Sequence, residues 1–146
     1  MGMDKMKPIS VLFVDENHTF LRIAIRLLEM YDDITVIGAV HGIDRTLTQI
    51  ETVQPDVILI DISSFSNPPG LQVISQLRTA LPGVRIIALT LIGIDSYRQA
   101  ALEAGADAFV PKVTMGTELL PAIRRVMQSN QTKEGNRVST MDTRVS

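Results

Sequence analysis

The chain has 146 residues, 45% of them apolar and 21% charged, the size and balance of one globular domain with a core large enough to fold alone. Its formal net charge is −2 and it contains no cysteine. That excludes disulfides, thiolate metal sites and cysteine nucleophiles, and it leaves no global field to attract nucleic acid or an anionic membrane.

The N-terminal segment Met1–Lys7 has no apolar stretch after its lysines, so it does not read as a signal peptide, and no run is long enough to cross a bilayer. The cytoplasm is the expected compartment. The first apolar run, Ile9 to Val14, predicts a strand. A helix follows, with Phe20, Ile23 and Leu27 on one face. Ile34 to Val40 predicts the second strand, and Ile43, Leu47 and Ile50 mark the second helix, closed before Pro55. Val57 to Ile60 is the third strand. The stripe Leu71, Ile74, Leu77 and Leu81 is the third helix, closed by Pro82. Val84 to Leu89 is the fourth strand, followed by a helix through Tyr97, Ala101 and Ala104 that stops at Gly105. Ala108 to Val110 is the fifth strand, and Leu119, Ile123, Val126 and Met127 mark the last helix. Pro121 lies inside that pattern and removes a backbone donor, so the helix is expected to start late, near Thr117 or Glu118, or to be distorted in its first turn.

Several of the strand runs are continuously apolar, as in strands buried on both faces. Five β-α repeats imply parallel pairing through right-handed crossovers, hence a three-layer α/β fold, a doubly wound (βα)5 sheet of five parallel strands. The folded domain is expected over 7–128. Residues 129–146 are polar and without period, which predicts a linker or a disordered tail.

Ligands of such folds sit beyond the carboxyl ends of the strands. The polar residues there are Asp15 and Glu16 after the first strand, Asp61 after the third, Thr90 after the fourth and Lys112 after the fifth. Taken singly, each is ordinary: a turn residue, a helix cap or a surface lysine. Taken together, three carboxylates crowd one edge and repel one another, a cost that a hard divalent cation such as Mg²⁺ relieves. His18 and His41 are too few to build a transition-metal site, and surface positions are expected for both.

The motifs FVDE (Asp15, Glu16), VILID (Asp61), IIALT (Thr90) and AGADAFVPK (Lys112) resemble those of response-regulator receiver domains, from Lys7 to about Gln128. The segment AALEAGADAFVPK looks most like receivers of LuxR/NarL-type regulators. The resemblance implies a flavodoxin-like receiver fold and a signalling switch rather than an enzyme, promoting only its own phosphoryl transfer and dephosphorylation. It implies Asp61 as phosphoacceptor, Lys112 and Thr90 beside the phosphoryl group, and Mg²⁺ held by Asp15, Glu16, Asp61 and the backbone carbonyl of Ser63. Thr90 and Phe109 would be the switch pair, and a sensor histidine kinase the phosphodonor partner. Tyr97 is expected to be an ordinary packing residue.

The chain departs from the family pattern at Glu16, where Asp is commoner. The loop ISSFSNPPG after Asp61 is one residue longer than usual and lacks the Met-Pro pair. Ser63 and Ile92 fall, by the resemblance, at positions that tune phosphoryl lifetime in the family, and an apolar Ile92 is expected to hinder the attacking water. The alternatives are a receiver-like interaction module that takes no phosphoryl group, an aspartate phosphatase, and a flavin binder. Ser63 stands where the phosphatase needs an acid, and Asp15-Glu16 would repel a flavin phosphate. The output stays open between a helix-turn-helix domain beyond Ser146, which would make DNA the eventual partner, and a docked protein target. Pairing into a homodimer on phosphorylation is open too. No membrane and no direct nucleic-acid contact by this domain are expected.

Overall fold

The structure, a computed structural model, describes residues 7–15, 18–40, 43–65, 69–91 and 95–128. Glu16, His41, Ile92, residues 66–68 of the loop after Asp61 and the expected tail at 129–146 lie outside them, as does the side chain of His18.

Five strands form one parallel sheet: β1 (Ile9–Val14), β2 (Ile34–Val40), β3 (Val57–Asp61), β4 (Arg85–Thr90) and β5 (Ala108–Pro111), in the order β2-β1-β3-β4-β5. Between them run α1 (His18–Glu29), α2 (Ile43–Val53), α3 (Gly70–Ala80) and α4 (Asp95–Ala104), and α5 follows over 115–128. The first two strands have the expected bounds. The third and fourth reach one residue further, so Asp61 and Thr90 are the last residues of their strands rather than the first after them. β4 also begins at Arg85, one residue late, because the amide of Val84 turns back to the carbonyl of Leu81 at 3.2 Å. Pro111 ends β5, an edge strand, where its missing N–H costs no ladder bond.

The continuous apolar runs are explained by two cores, one on each sheet face. Val11, Phe13, Val57, Leu59, Ile87, Leu89 and Val110 face α1 and α5. Leu12, Val14, Ile58, Ile60, Ile86, Ala88 and Phe109 face α2, α3 and α4. Alternate residues of one strand thus serve opposite cores.

Two expectations need correction. The face of α1 that enters the core is Leu21, Ala24 and Leu28, while Ile23 is 58% exposed and Phe20 and Leu27 are half-buried. The helix carries two overlapping apolar stripes one residue, or about 100°, apart. The one containing Ala24 lets the helix approach the sheet more closely. The other concerns α5, which begins at Met115, earlier than Pro121 suggested. A 3-10 turn, Lys112–Thr114, feeds straight into it, and both Pro121 and the Thr117 carbonyl that loses its i+4 donor lie on exposed residues, where water can replace the bond.

α4 stops as expected. Gly105 has φ +125°, and the amides of Gly105 and Ala106 return to the carbonyls of Leu102 and Ala101 at 3.1 and 3.0 Å, the Schellman closure. Arg78 of α3 locks this corner. Its Nε and Nη2 donate to the Gly105 carbonyl (3.0 and 2.8 Å), Nη2 to Asp107 Oδ2 (2.7 Å), and Nη1 to the carbonyls of Val84 and Pro82 (2.6 and 2.9 Å). A Cβ on Gly105 would lie 2.9 Å from Arg78 Cβ. Gly105→Ala is therefore expected to lose about 2 kcal/mol through backbone strain and contact together. A urea titration checks this, and an unchanged midpoint contradicts it.

Arg124 of α5 reaches the turn before β2, donating from Nε to Asp33 Oδ2 (2.9 Å) and from Nη2 to Oδ1 (3.0 Å). Those hydrogen bonds hold the Asp33 carboxyl below its ordinary range, against a smaller opposing effect of burial. A carboxyl depressed in the folded state stabilises fully above its unfolded pKa, and the contribution is lost as pH falls through the folded one. Both side chains are about half exposed, so the effect is small. The gap in urea midpoint between the parent chain and Asp33→Asn should accordingly be present at neutral pH and close as pH drops below about 4. A gap that widens in acid would contradict the assignment.

Candidate functional site

Asp15, Asp61, Thr90 and Lys112 meet at the carboxyl edge of the sheet because parallel strands deliver their last residues to the same side. Val14 pairs with Ile60, so Asp15 and Asp61 leave neighbouring strands side by side, and Asp61 pairs with Leu89, one step before Thr90. All three are buried: Asp15 and Thr90 at 0% and Asp61 at 1% exposure. A buried polar group is costly unless bonded, and a buried charge more so.

Asp61 is held from two sides. Its Oδ1 accepts the Ser63 amide at 3.1 Å and the Ser63 hydroxyl at 2.6 Å. This is how Asp61 caps the 3-10 turn Ile62–Ser64. Its Oδ2 accepts a hydrogen bond from Lys112 Nζ, forming an ion pair in which the lysine side chain is 8% exposed. The turn can lie this close because Gly70, the first residue of α3, packs against the backbone of Ile62. An added Cβ there would meet the Ile62 carbonyl at 2.3 Å.

The expected site residues thus come together, with Glu16 outside the described residues. One cation, Lys112, is ion-paired to Asp61, and Asp61 stands next to a second buried carboxylate, Asp15. These are oxygen donors, as a hard cation requires, so the donor chemistry fits Mg²⁺. Among the described residues no group of three His, Cys, Asp or Glu side chains is assembled into a metal cluster.

Thr90 and Phe109 share one sheet face. Ala88 pairs with Phe109 and Thr90 with Pro111, so the threonine follows the residue opposite the ring by two positions. Phe109 is 4% exposed within the core beneath α3 and α4. Tyr97 packs half-buried against the same core, in keeping with a packing role.

Two contacts of this site escaped the reading of the sequence. The Phe20 ring of α1 lies under Lys112, with Nζ 3.7 Å from its centroid, and Arg98 of α4 covers Phe109 at 5.3 Å. Neither pair has a local spacing that announces it, and only the crossover topology juxtaposes them.

Residues 11–124 match the family described as the response regulator receiver domain. The response regulator protein VraR of Staphylococcus saprophyticus is 29% identical over 94% of this chain, which spans 66% of that protein's length. The RcsB response regulator of Salmonella typhimurium, in a structure concerned with DNA interaction, superposes with a TM-score of 0.77 at 20% identity, over 85% of this chain and 62% of that one. A Burkholderia pseudomallei response regulator, solved with a phosphorylated aspartic acid, a calcium ion and citrate, superposes with a TM-score of 0.66 at 25% identity, over 88% and 74%. Five parallel strands in the order found here, covered by five helices and matched over the greater part of the chain, place this protein in the response regulator receiver domain family of two-component signalling.

Proposed function

We propose that this receiver domain accepts a phosphoryl group on Asp61, from a sensor histidine kinase or a small phosphodonor, and passes the change to an output partner. The single observation that carries the reading is the Asp61 carboxylate, buried beside a second carboxylate and oriented by Ser63 and Lys112. A carboxylate oxygen of Asp61 forms the bond to phosphorus, and the bond from phosphorus to the donor's leaving atom breaks, its electron pair departing with the donor. Lys112 stays against the oxygens on which charge gathers, a point charge on a flexible stem. Asp15 and Asp61, with Glu16 and the Ser63 carbonyl, would hold Mg²⁺, whose chemistry here is neutralisation of phosphoryl and carboxylate charge. The calcium ion and phosphorylated aspartate of the Burkholderia relative support the same assignment. An interaction module that takes no phosphoryl group has no use for two adjacent buried carboxylates, one of them ion-paired to a lysine.

The added phosphoryl oxygens offer Thr90 new hydrogen-bond acceptors. Phosphorylation then shifts the equilibrium by the difference in its contacts with the two states of Thr90 and Phe109. The folded unit of this switch is 7–128, with 129–146 as linker or tail, working in the cytoplasm. Among the described residues no helix is long and apolar enough to cross a membrane. Because the chain spans only part of its relatives' length, and RcsB is described through its interaction with DNA, the output we favour is a DNA-binding domain beyond Ser146.

The test is intact mass after incubation with Mg²⁺ and acetyl phosphate. One phosphoryl group is expected on the parent chain and none on Asp61→Asn or without the metal. If the parent gains no mass and binds no beryllofluoride, the reading is overturned.

A further inference from the structure

We propose that Phe20 is a positioning residue for phosphoryl transfer at Asp61, its ring face holding the Lys112 ammonium over the carboxylate that becomes phosphorylated. The proposal rests on the reading of Asp61 as phosphoacceptor and extends it to a residue on a different element.

Lys112 Nζ lies 3.7 Å from the Phe20 ring centroid while donating to Asp61 Oδ2, so the carboxylate and the ring take the ammonium from two directions. The lysine side chain is 8% exposed, and an ammonium withdrawn from water needs compensation wherever its protons point. The negative face of an aromatic ring supplies it, and a leucine or valine of equal bulk does not. Phe20 also packs partly buried against the core of α1 and α5, but it is not one of the residues that seat the helix most deeply. Leu21, Ala24 and Leu28 do that, and Phe20 remains half-buried at the end of α1 nearest the site. Beyond Lys112 the chain opens to solvent, with Val113 82% exposed. Without the ring, the four-carbon stem is free to carry the ammonium outward to water.

That matters at the moment of reaction. With acetyl phosphate, an Asp61 oxygen bonds to phosphorus and the phosphorus–oxygen bond to the acetyl group breaks. Acetate leaves with the electron pair, and no proton moves. Asp61 gives up its charge to an acyl phosphate linkage, so Lys112 loses its partner and must stay for the phosphoryl oxygens. The ring is the contact that persists through that exchange.

The experiment compares second-order rate constants for phosphorylation of the 146-residue chain by acetyl phosphate with Mg²⁺. Phe20→Leu should be slower by about 3- to 30-fold, and Phe20→Tyr, which keeps the face, should recover the parent rate within roughly twofold. Mono-, di- and trifluorophenylalanine at position 20 drain the ring's charge at nearly constant shape, so the rate should fall with each fluorine. That series serves even where circular dichroism shows Phe20→Leu unfolded. Without any phosphodonor, the Lys112 ε-methylene protons should resonate upfield from the ring current in the parent and Phe20→Tyr, and at ordinary positions in Phe20→Leu. A parent that is phosphorylated on Asp61 while the leucine and fluorinated variants react as fast overturns the role of Phe20 alone, as does a parent without the upfield shift. A parent that takes no phosphoryl group instead brings down the reading of Asp61, and this proposal with it.

Discussion

Lys112→Met is expected to destabilise the fold by about 3 kcal/mol, the cost of leaving one member of a buried ion pair behind. Met preserves the length and apolar stem of lysine, so little packing is lost. What remains is Asp61, 1% exposed and adjacent to Asp15 at 0%, with its Oδ1 still served by Ser63 but no cation on Oδ2. Asp61→Asn should cost much less, because it removes one of two neighbouring negative charges and leaves Lys112 on the face of the Phe20 ring. The double variant should recover part of the loss, since the Asp61 charge is then gone together with the lysine that balanced it. A urea series on the four proteins measures the coupling. Equal losses in the two single variants would mean that the pair is not buried as described. Mg²⁺ at millimolar concentration should raise the midpoint of Lys112→Met, where both carboxylates keep their charge without the lysine, and barely move that of Asp61→Asn.

This asymmetry follows from the part of the protein most legible in the sequence. The runs VILI and IIAL are apolar without alternation because two helical layers cover them. A strand buried on both faces has only its carboxyl end for polar chemistry, so Asp61 and Thr90 stand out at once. The less legible features are those that depend on which of two similar faces wins or on what a distant segment brings. Stripes of apolar residues on α1 run through both Ile23 and Ala24, and closeness of approach to the sheet decides between them. Pro121 looks like a helix breaker until its exposure is known. The guanidinium of Arg78 serves carbonyls from two separate loops, and a side chain that bonds backbone leaves no residue pattern to read. Phe20 meets Lys112 only because β5 returns its end to the neighbourhood of α1.

Gly70 belongs to this second group, being in the sequence only the glycine that closes the loop ISSFSNPPG. In the structure a Cβ on it would lie 2.3 Å from the Ile62 carbonyl oxygen and 2.6 Å from Ile62 Cα, so Gly70→Ala requires a shift of about an ångström in one of the two segments. α3 is anchored by Val73, Ile74 and Leu77, all at 0% exposure, and is the less able to move. The turn Ile62–Ser64 then gives way, taking with it the Ser63 amide and hydroxyl that orient Asp61. Overpacking of this kind should cost about 2–3 kcal/mol, and a displacement of that size at the acceptor should slow phosphorylation tenfold or more. Gly83→Ala is the matched control: no atom lies within 4 Å of its added Cβ and its φ is not positive, so it should be neutral or slightly stabilising through the unfolded chain. Urea midpoints and acetyl phosphate kinetics on the folded fraction separate the two effects. If Gly70→Ala matched Gly83→Ala in both, the turn would be free to slide, and the orientation of Asp61 would owe nothing to the start of α3. Loss of rate beyond loss of stability would instead mean that the glycine sets the height at which the Asp61 carboxylate is held.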